Sequence, residues 1–270
     1  MNKGSRPYSN EDDTRVPGAG IRPSHKFLRI AHRGAAGLEL ENTLRAIETG
    51  LRYGVEMVEI DVRPAADGTL VVFHDDELKR ITRRPGRVST SSLAELRAID
   101  LGGGERIPTL DEVLALVRGR ALINIDQKVD NLAHALLKSI ARAGKREDTL
   151  LSGNARVTFK AFRELAPTVR LAVSIGASWI HAHKYLLARH TAAGARGQAG
   201  SIIAAARAVM ADTAALDYRL AAPRVVERLH RAGLPVLTWT VDDLPTMRAL
   251  RQAGVDGVTS NRPDLLAQLI

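Results

Sequence analysis

The chain has no cysteine, which excludes disulfides and thiolate metal centres and leaves oxygen and imidazole as the donors for any metal. Aromatic residues are only 4% of its 270 positions, a thin supply of the stacking platforms that single-stranded nucleic acids use. No stretch approaches the roughly 18 consecutive apolar residues of a membrane span. The richest, "GSIIAAARAVMADTAAL", is broken by Arg207 and Asp212. Residues 1–26 are polar, rich in Gly, Pro and charges, and lack the apolar run of a secretory signal. They read as a disordered tail, and the chain as a cytoplasmic protein without stable membrane insertion.

What is present is an ordinary hydrophobic content of 45% and a net charge of +9. Such charge suits nucleic acid, an anionic surface or a negative substrate. The basic residues are spread along the chain rather than gathered in one stripe, and with so few aromatics a nucleic-acid partner is not expected. Composition alone does not choose an anionic surface over a negative substrate, and nothing points to an oligomeric state.

From residue 27, short apolar runs alternate with segments of helical period, the pattern of βα units around a parallel sheet. The runs are "FLRIAHRG", "EMVEIDV", "RALINIDQK", "TLLSGN", "RLAVSIG", "TAALDY", "PVLTWTV" and "DGVTSN". A further run, "TLVVFHD", follows the second after only "AADG", too short for a parallel crossover, so it returns as a hairpin on an Asp67-Gly68 turn. Eight parallel runs over residues 27–270 predict a (β/α)8 TIM barrel with a β-hairpin and a short insertion, residues 77–107, after the second strand. Chemistry is then expected at the C-terminal strand ends. The stretch 177–200, containing "GARGQAG", reads as an irregular loop zone, and "GGGERIP" lacks the Lys-Ser/Thr of a P-loop and reads as a lid hinge.

The predicted strand ends carry charged groups that buried strands do not ordinarily tolerate. Glu59 and Asp61, two apart, share one strand face, and paired carboxylates repel unless a cation lies between them. Hard divalent ions want such oxygen ligands. Asp126 can complete a three-carboxylate site, and Lys128 beside it can offer a cation to a phosphate oxygen, as Arg33 can from the first strand. A plain salt bridge between Asp126 and Lys128 is the competing reading. A two-residue Asp67-Gly68 turn would set His74 directly across from Asp61. His32 ends the first strand, where a satisfied turn histidine is an equal reading for that residue taken alone. Together the groups describe a phosphoryl site: a divalent metal, Arg and Lys for oxygens, and two histidines for proton transfer.

Read in order, "AHRG", "ENT", "EIDV", "DGTLVVFHD", "IPTLDEVL", "LINIDQK", "LTWTV" and "GVDGVTSNRPDLL" resemble the successive signatures of the glycerophosphodiester phosphodiesterase family. The resemblance runs from about residue 28 to the C-terminus. It implies a barrel enzyme that uses one divalent cation, Ca2+ or Mg2+, to cleave glycerophosphodiesters to glycerol 3-phosphate and an alcohol. His32 and His74 become the acid/base pair, Glu59, Asp61 and Asp126 the metal ligands, and Arg33 and Lys128 the phosphate contacts. Trp239 lies where the family meets the substrate's glycerol, although barrel packing alone also explains a tryptophan there. In the family a substrate hydroxyl can attack first, giving a cyclic phosphate that water then opens.

The chain departs from the family's pattern in four places. Leu40 replaces the usual Pro before "ENT", leaving Asn42 or Thr43 to cap the first helix, and Asp126 stands where Glu is usual. Asp242 replaces an Asn after "WTV", adding a negative charge near the mouth, and the insertion is short. Glu41 and Asn42 read as capping residues that orient His32. A related diesterase for lysophospholipids or sugar phosphodiesters would share these groups. A catalytically impaired barrel that binds an anion or nucleic acid is disfavoured by the retained histidines and carboxylates. The pair His181 and His183 in "WIHAHKY" reads as helix-start or surface residues.

Overall fold

The structure, a computed structural model, describes residues 27–153, 156–176 and 191–269; the predicted tail and the pair His181 and His183 lie outside the described residues. The parallel strands are β1 (Leu28–Ala31), β2 (Met57–Pro64), β4 (Leu122–Gln127), β5 (Thr149–Gly153), β6 (Arg170–Ile175), β7 (Thr213–Asp217), β8 (Val236–Trp239) and β9 (Gly257–Ser260). They pair in that order and close when β9 returns to β1. One antiparallel strand, β3 (Leu70–Val72), lies on β2.

Helices α1 (Leu44–Arg52), α4 (Leu110–Val117), α5 (Ala133–Arg142), α6 (Arg156–Leu165), α7 (Ala192–Ala208), α8 (Pro223–Arg231), α9 (Leu244–Gln252) and α10 (Pro263–Leu266) each follow one barrel strand. Two short helices, α2 (Lys79–Thr82) and α3 (Leu93–Arg97), occupy the insertion. This is the expected (β/α)8 barrel. No helix among the described residues is long and apolar enough to cross a membrane.

Strand alternation divides the core. Val58, Ile60, Val62, Ile123 and Ile125 face outward into the helical layer, each contributing about 1.5–3 kcal/mol on burial. Ile30, Met57, Leu150, Ala172 and Leu237 face inward as an apolar plug, so polar side chains are confined to the inward positions above it. The "IPTLDEVL" motif is the start of α4. Thr109 and Glu112 cap it reciprocally, and Glu112 also takes both guanidinium nitrogens of Arg97, tying α3 to the barrel.

The hairpin is shifted by one residue from expectation. Its loop is Ala66-Asp67-Gly68: Ala65 N donates to Thr69 O (2.8 Å) and Gly68 N to Ala65 O (3.0 Å). A two-residue turn of the type favoured for Asp-Gly needs positive φ at both positions; Gly68 has it (φ 81) and Asp67 does not. Asp67 is held instead by Thr69 N (3.0 Å) and by Leu93 N (2.8 Å) from the insertion. Val62 therefore pairs with Val72, and Asp61 O accepts from Phe73 N (3.0 Å). Asp61 faces Phe73, not His74.

The "GARGQAG" stretch is not a loop but part of α7. Thr191 caps it through Gly194 N (3.0 Å), and Ala195, Gln198, Ala199, Ile202, Ala205 and Ala206 are buried at helical spacing. Gly197 and Gly200 are exposed, where each costs about 1 kcal/mol relative to Ala. Burial of the opposite face outweighs that cost. The "GGGERIP" segment is a turn pinned to α1: Arg45 donates to Gly103 O (2.6 Å) and to Glu105 (3.2 Å).

Candidate active site

Gly34 explains the shape of "AHRG". With φ 85, its backbone passes so close under α1 that a Cβ would lie 2.5 Å from Ala46 C. Only glycine allows that approach, and it leaves His32 and Arg33 at the mouth just as the strand ends. In the parallel ladder Glu59 pairs with Asn124 and Asp61 with Asp126. The two aspartates thus project side by side from one face, with Glu59 one inward position deeper. One carboxylate oxygen from each of Glu59, Asp61 and Asp126 lies within 4.8 Å of the others.

Two cations attend the trio. Lys128 Nζ lies 2.7 Å from Asp61 Oδ1 and 2.5 Å from Asp126 Oδ2, so the salt bridge read from sequence exists and also includes Asp61. Arg33 donates its backbone N–H to Glu59 Oε2 (2.9 Å) and sets Nε 3.2 Å from Asp61 Oδ2. The carboxyl groups are accordingly unequal. Burial, then Asp61 and Asp126, push Glu59 well above the ordinary carboxylate range. Burial also raises Asp126 despite Lys128. Asp61, for which burial is outweighed by Lys128 and Arg33, is held down.

This donor set fits a hard divalent ion. Three carboxylates converge with little exposure, and Lys128 already lodges between two of them as a stand-in positive charge. The substitution of Asp126 for Glu keeps its oxygens within the cluster.

His32 is held from the far end of the chain. Its Nδ1 lies 2.7 Å from Asn261 Oδ1, just past β9, and its Nε2 lies 3.8 Å from Glu59 Oε2. Burial, then the charge of Arg33, depress its pKa. Asp242 fixes Asn261: it accepts from Asn261 N (2.8 Å), Asn261 Nδ2 (2.7 Å) and Ser260 Oγ (3.0 Å). A carboxylate only accepts, so the amide nitrogen of Asn261 must face Asp242 and its oxygen must face His32. His32 Nδ1 is then the N–H, and Nε2 carries the open lone pair. The negative charge of Asp242 is thus consumed in positioning rather than left bare at the mouth.

The sequence reading of Glu41 and Asn42 needs correction. Asn42 orients Asp61, not His32: its Nδ2 donates to Asp61 Oδ2 (2.8 Å) and its Oδ1 accepts from Asp61 N (3.3 Å). Thr43 alone caps α1, accepting from Ala46 N (3.1 Å). Glu41 accepts from Arg33 (2.8 Å) and from Arg80 (2.7 Å).

His74 reaches the site from the chain that leaves β3, with Nδ1 2.6 Å from Asp75 Oδ1. It lies near enough to Asp61 that a proton on its ring favours the ionised carboxylate. Trp239 packs on the apolar plug, and its buried indole N–H has no acceptor among the described residues. The sequence reading missed Asn261, Asp75 and Arg80. Asn261 and Asp75 lie inside motifs already noted, "TSN" and "FHD", but nothing local shows whom they face.

The pattern of the family described as Glycerophosphoryl diester phosphodiesterase family matches residues 32–265. A glycerophosphodiester phosphodiesterase of Caldanaerobacter subterraneus subsp. tengcongensis is 29% identical over 260 residues, covering 91% of this chain and 98% of that protein. The crystal structure of a glycerophosphodiester phosphodiesterase from Agrobacterium tumefaciens, 26% identical, superposes with a TM-score of 0.72 over 90% of this chain and 100% of that one. An Oleispira antarctica phosphodiesterase, solved in complex with the product sn-glycerol-3-phosphate, shares the fold at 24% identity, with a TM-score of 0.73 over 90% of this chain and 95% of that one.

Proposed function

From the premise that the chain belongs to the glycerophosphoryl diester phosphodiesterase family and is a phosphoric diester hydrolase, we propose that it cleaves small glycerophosphodiesters to glycerol 3-phosphate and an alcohol, with residues 27–270 as one catalytic barrel and 77–107 as an insertion over its mouth. The observation that carries this reading is convergence. Glu59, Asp61 and Asp126 come within 4.8 Å of one another, with His32 and Arg33 from the end of β1 and Lys128 from the end of β4 against them.

Glu59, Asp61 and Asp126 would hold a divalent cation, Ca2+ or Mg2+, which when bound neutralises phosphate charge. Arg33 and Lys128 hold phosphate oxygens, Arg33 as a planar fork and Lys128 as a point charge. Trp239, packed on the apolar plug, offers its ring to the glycerol. His32, with Nε2 open, takes the proton of the attacking hydroxyl as the new P–O bond forms. His74 gives a proton to the departing alkoxide as the old bond breaks. When a neighbouring substrate hydroxyl attacks, the cyclic phosphate is opened by water with the two roles exchanged.

The test is coupled detection of glycerol 3-phosphate released from glycerophosphocholine, with and without EDTA. Release that EDTA abolishes and Ca2+ or Mg2+ restores supports the reading. Absence of metal-dependent turnover on a panel of glycerophosphodiesters, by a folded protein, overturns it.

A further inference from the structure

We propose that Arg80, supplied by the insertion, is a positioning residue that clamps Arg33 and His74 into register with each other; the proposal rests on the phosphodiesterase reading and names a part of the same site. Arg80 gives two nitrogens to the two oxygens of Glu41, at 2.9 and 2.7 Å. Its third, Nε, bonds Asp75 Oδ2. Glu41 Oε1 also accepts from Arg33 at 2.8 Å, and the other oxygen of Asp75 faces His74 Nδ1 at 2.6 Å. The result is one chain of alternating charge, Arg33–Glu41–Arg80–Asp75–His74, joining a residue after β1 to a residue after β3.

Each link constrains its neighbour. A guanidinium is planar, so Glu41 on one edge of Arg33 and Asp61 on another fix the plane of the fork that would meet the phosphate. His74 is about one-third exposed, and Asp75 is the hydrogen-bond partner that selects which ring nitrogen points away into the site. Both carboxylates converge on one guanidinium. Without Arg80 they would stand close together as like charges, and each would be free to swing. Glu41 would be raised by burial, yet the Arg80 and Arg33 guanidiniums hold it below the ordinary carboxylate value.

Arg80 reaches this place because the insertion is anchored, not because α2 is itself stable. Leu78 and Val88 pack with Val71 and Phe73 behind β3, and Leu78 N donates to Gly86 O (3.0 Å) across the base of the loop. Arg80 is itself nearly half exposed. Ion pairs at such exposure add little to folding, so its loss is expected to register in the kinetics and not in the melting temperature.

The test replaces Arg80 with Met, which keeps length and loses charge, and with Lys, which keeps charge and loses the fork. In Arg80→Met, kcat on a glycerophosphodiester is expected to fall about tenfold or more through misplaced His74, while affinity for glycerol 3-phosphate weakens severalfold through Arg33. Arg80→Lys should restore part of one effect only. The double variant with Asp75→Asn should lose little more kcat than Arg80→Met alone, because both cut the same link. In parallel, 15N NMR of the imidazoles, taken where the ring is neutral, should show His74 as a single Nδ1–H tautomer in the parent and as a mixture in Arg80→Met. Kinetics within twofold of the parent, or an unchanged His74 spectrum, would overturn the clamp. A parent that cleaves no diester while its His74 spectrum still answers to Arg80 would overturn the catalytic reading and leave the clamp standing.

Discussion

Asn261 Oδ1 and His32 Nδ1 are 229 residues apart in the chain and 2.7 Å apart in the fold. The contact exists because β9 closes onto β1, with Ser260 level with Ala31. It makes the tautomer of His32 a property of the barrel closure, set by an amide that Asp242 holds by its other end.

Replacing Asn261 with Leu should therefore release the ring without removing it. The expected result is a drop in kcat of roughly 10-fold to 10²-fold, smaller than that of His32→Ala, with KM little changed. Asp242→Asn should cost less, because an asparagine there can still accept from Asn261 through its carbonyl. Steady-state kinetics on glycerophosphocholine measure both. An Asn261→Leu enzyme with the parent kcat would show that His32 orients itself.

The two histidines are expected to be separately indispensable. His32→Ala and His74→Ala should each lower turnover by roughly 10² or more with the fold intact, the loss typical of a missing proton-transfer group. Circular dichroism establishes the fold and the coupled assay the rate. Near-parent activity in either variant would remove that residue from the acid/base pair.

How far these groups were legible in the sequence follows from the range of the physics that places them. Glu59, Asp61 and Asp126 could be read because alternation along a strand is local, and two parallel strands ending alike bring like positions together. The partner of His32 could not, since it depends on which strand closes the barrel. The hairpin shift turned on whether Asp67 adopts positive φ, which a hydrogen bond from Leu93 in the insertion helps decide. The helix through "GARGQAG" was hidden because its buried face is largely alanine, too weak a signal beside three glycines. Arg80 stands among several cations in "KRITRRPGR", and what distinguishes it is that its two carboxylate partners, Glu41 and Asp75, also hold Arg33 and His74.

Away from the site, His230 provides a pH-dependent element of stability. Its Nε2 lies 2.7 Å from Asp256 Oδ2. The hydrogen bond and the charge of Asp256, working against burial, raise its pKa above the ordinary value. A raised folded-state pKa contributes stability that is fully present below the unfolded value, near 6.5, and is lost as pH rises through the folded one. The melting-temperature advantage over His230→Gln should thus be largest below the unfolded value, about pH 6.5, and shrink as the medium is made alkaline. With the pair part-exposed, it should amount to no more than a few degrees. An advantage that grows with pH would refute the pairing.

Lys128 gives the sharpest test of the metal site. Its ammonium occupies the space between Asp61 and Asp126, so a divalent ion must share or displace that charge. Two like charges competing for the same oxygens oppose each other through a poorly screened interior. Lys128→Met should therefore bind Ca2+ or Mg2+ severalfold more tightly than the parent, while turnover falls by about 10² for want of a phosphate contact. Binding should also weaken, with a growing release of protons, as pH falls, because the raised Glu59 and Asp126 take up protons more readily than ordinary carboxylates and the ion competes with them. Calorimetry in buffers of different ionisation enthalpy reads both quantities. In Asp126→Ala the metal response should weaken sharply; an unchanged titration there would take Asp126 out of the ligand set. Weaker metal binding in Lys128→Met would instead mean that the lysine organises the carboxylates for the ion rather than competing with it.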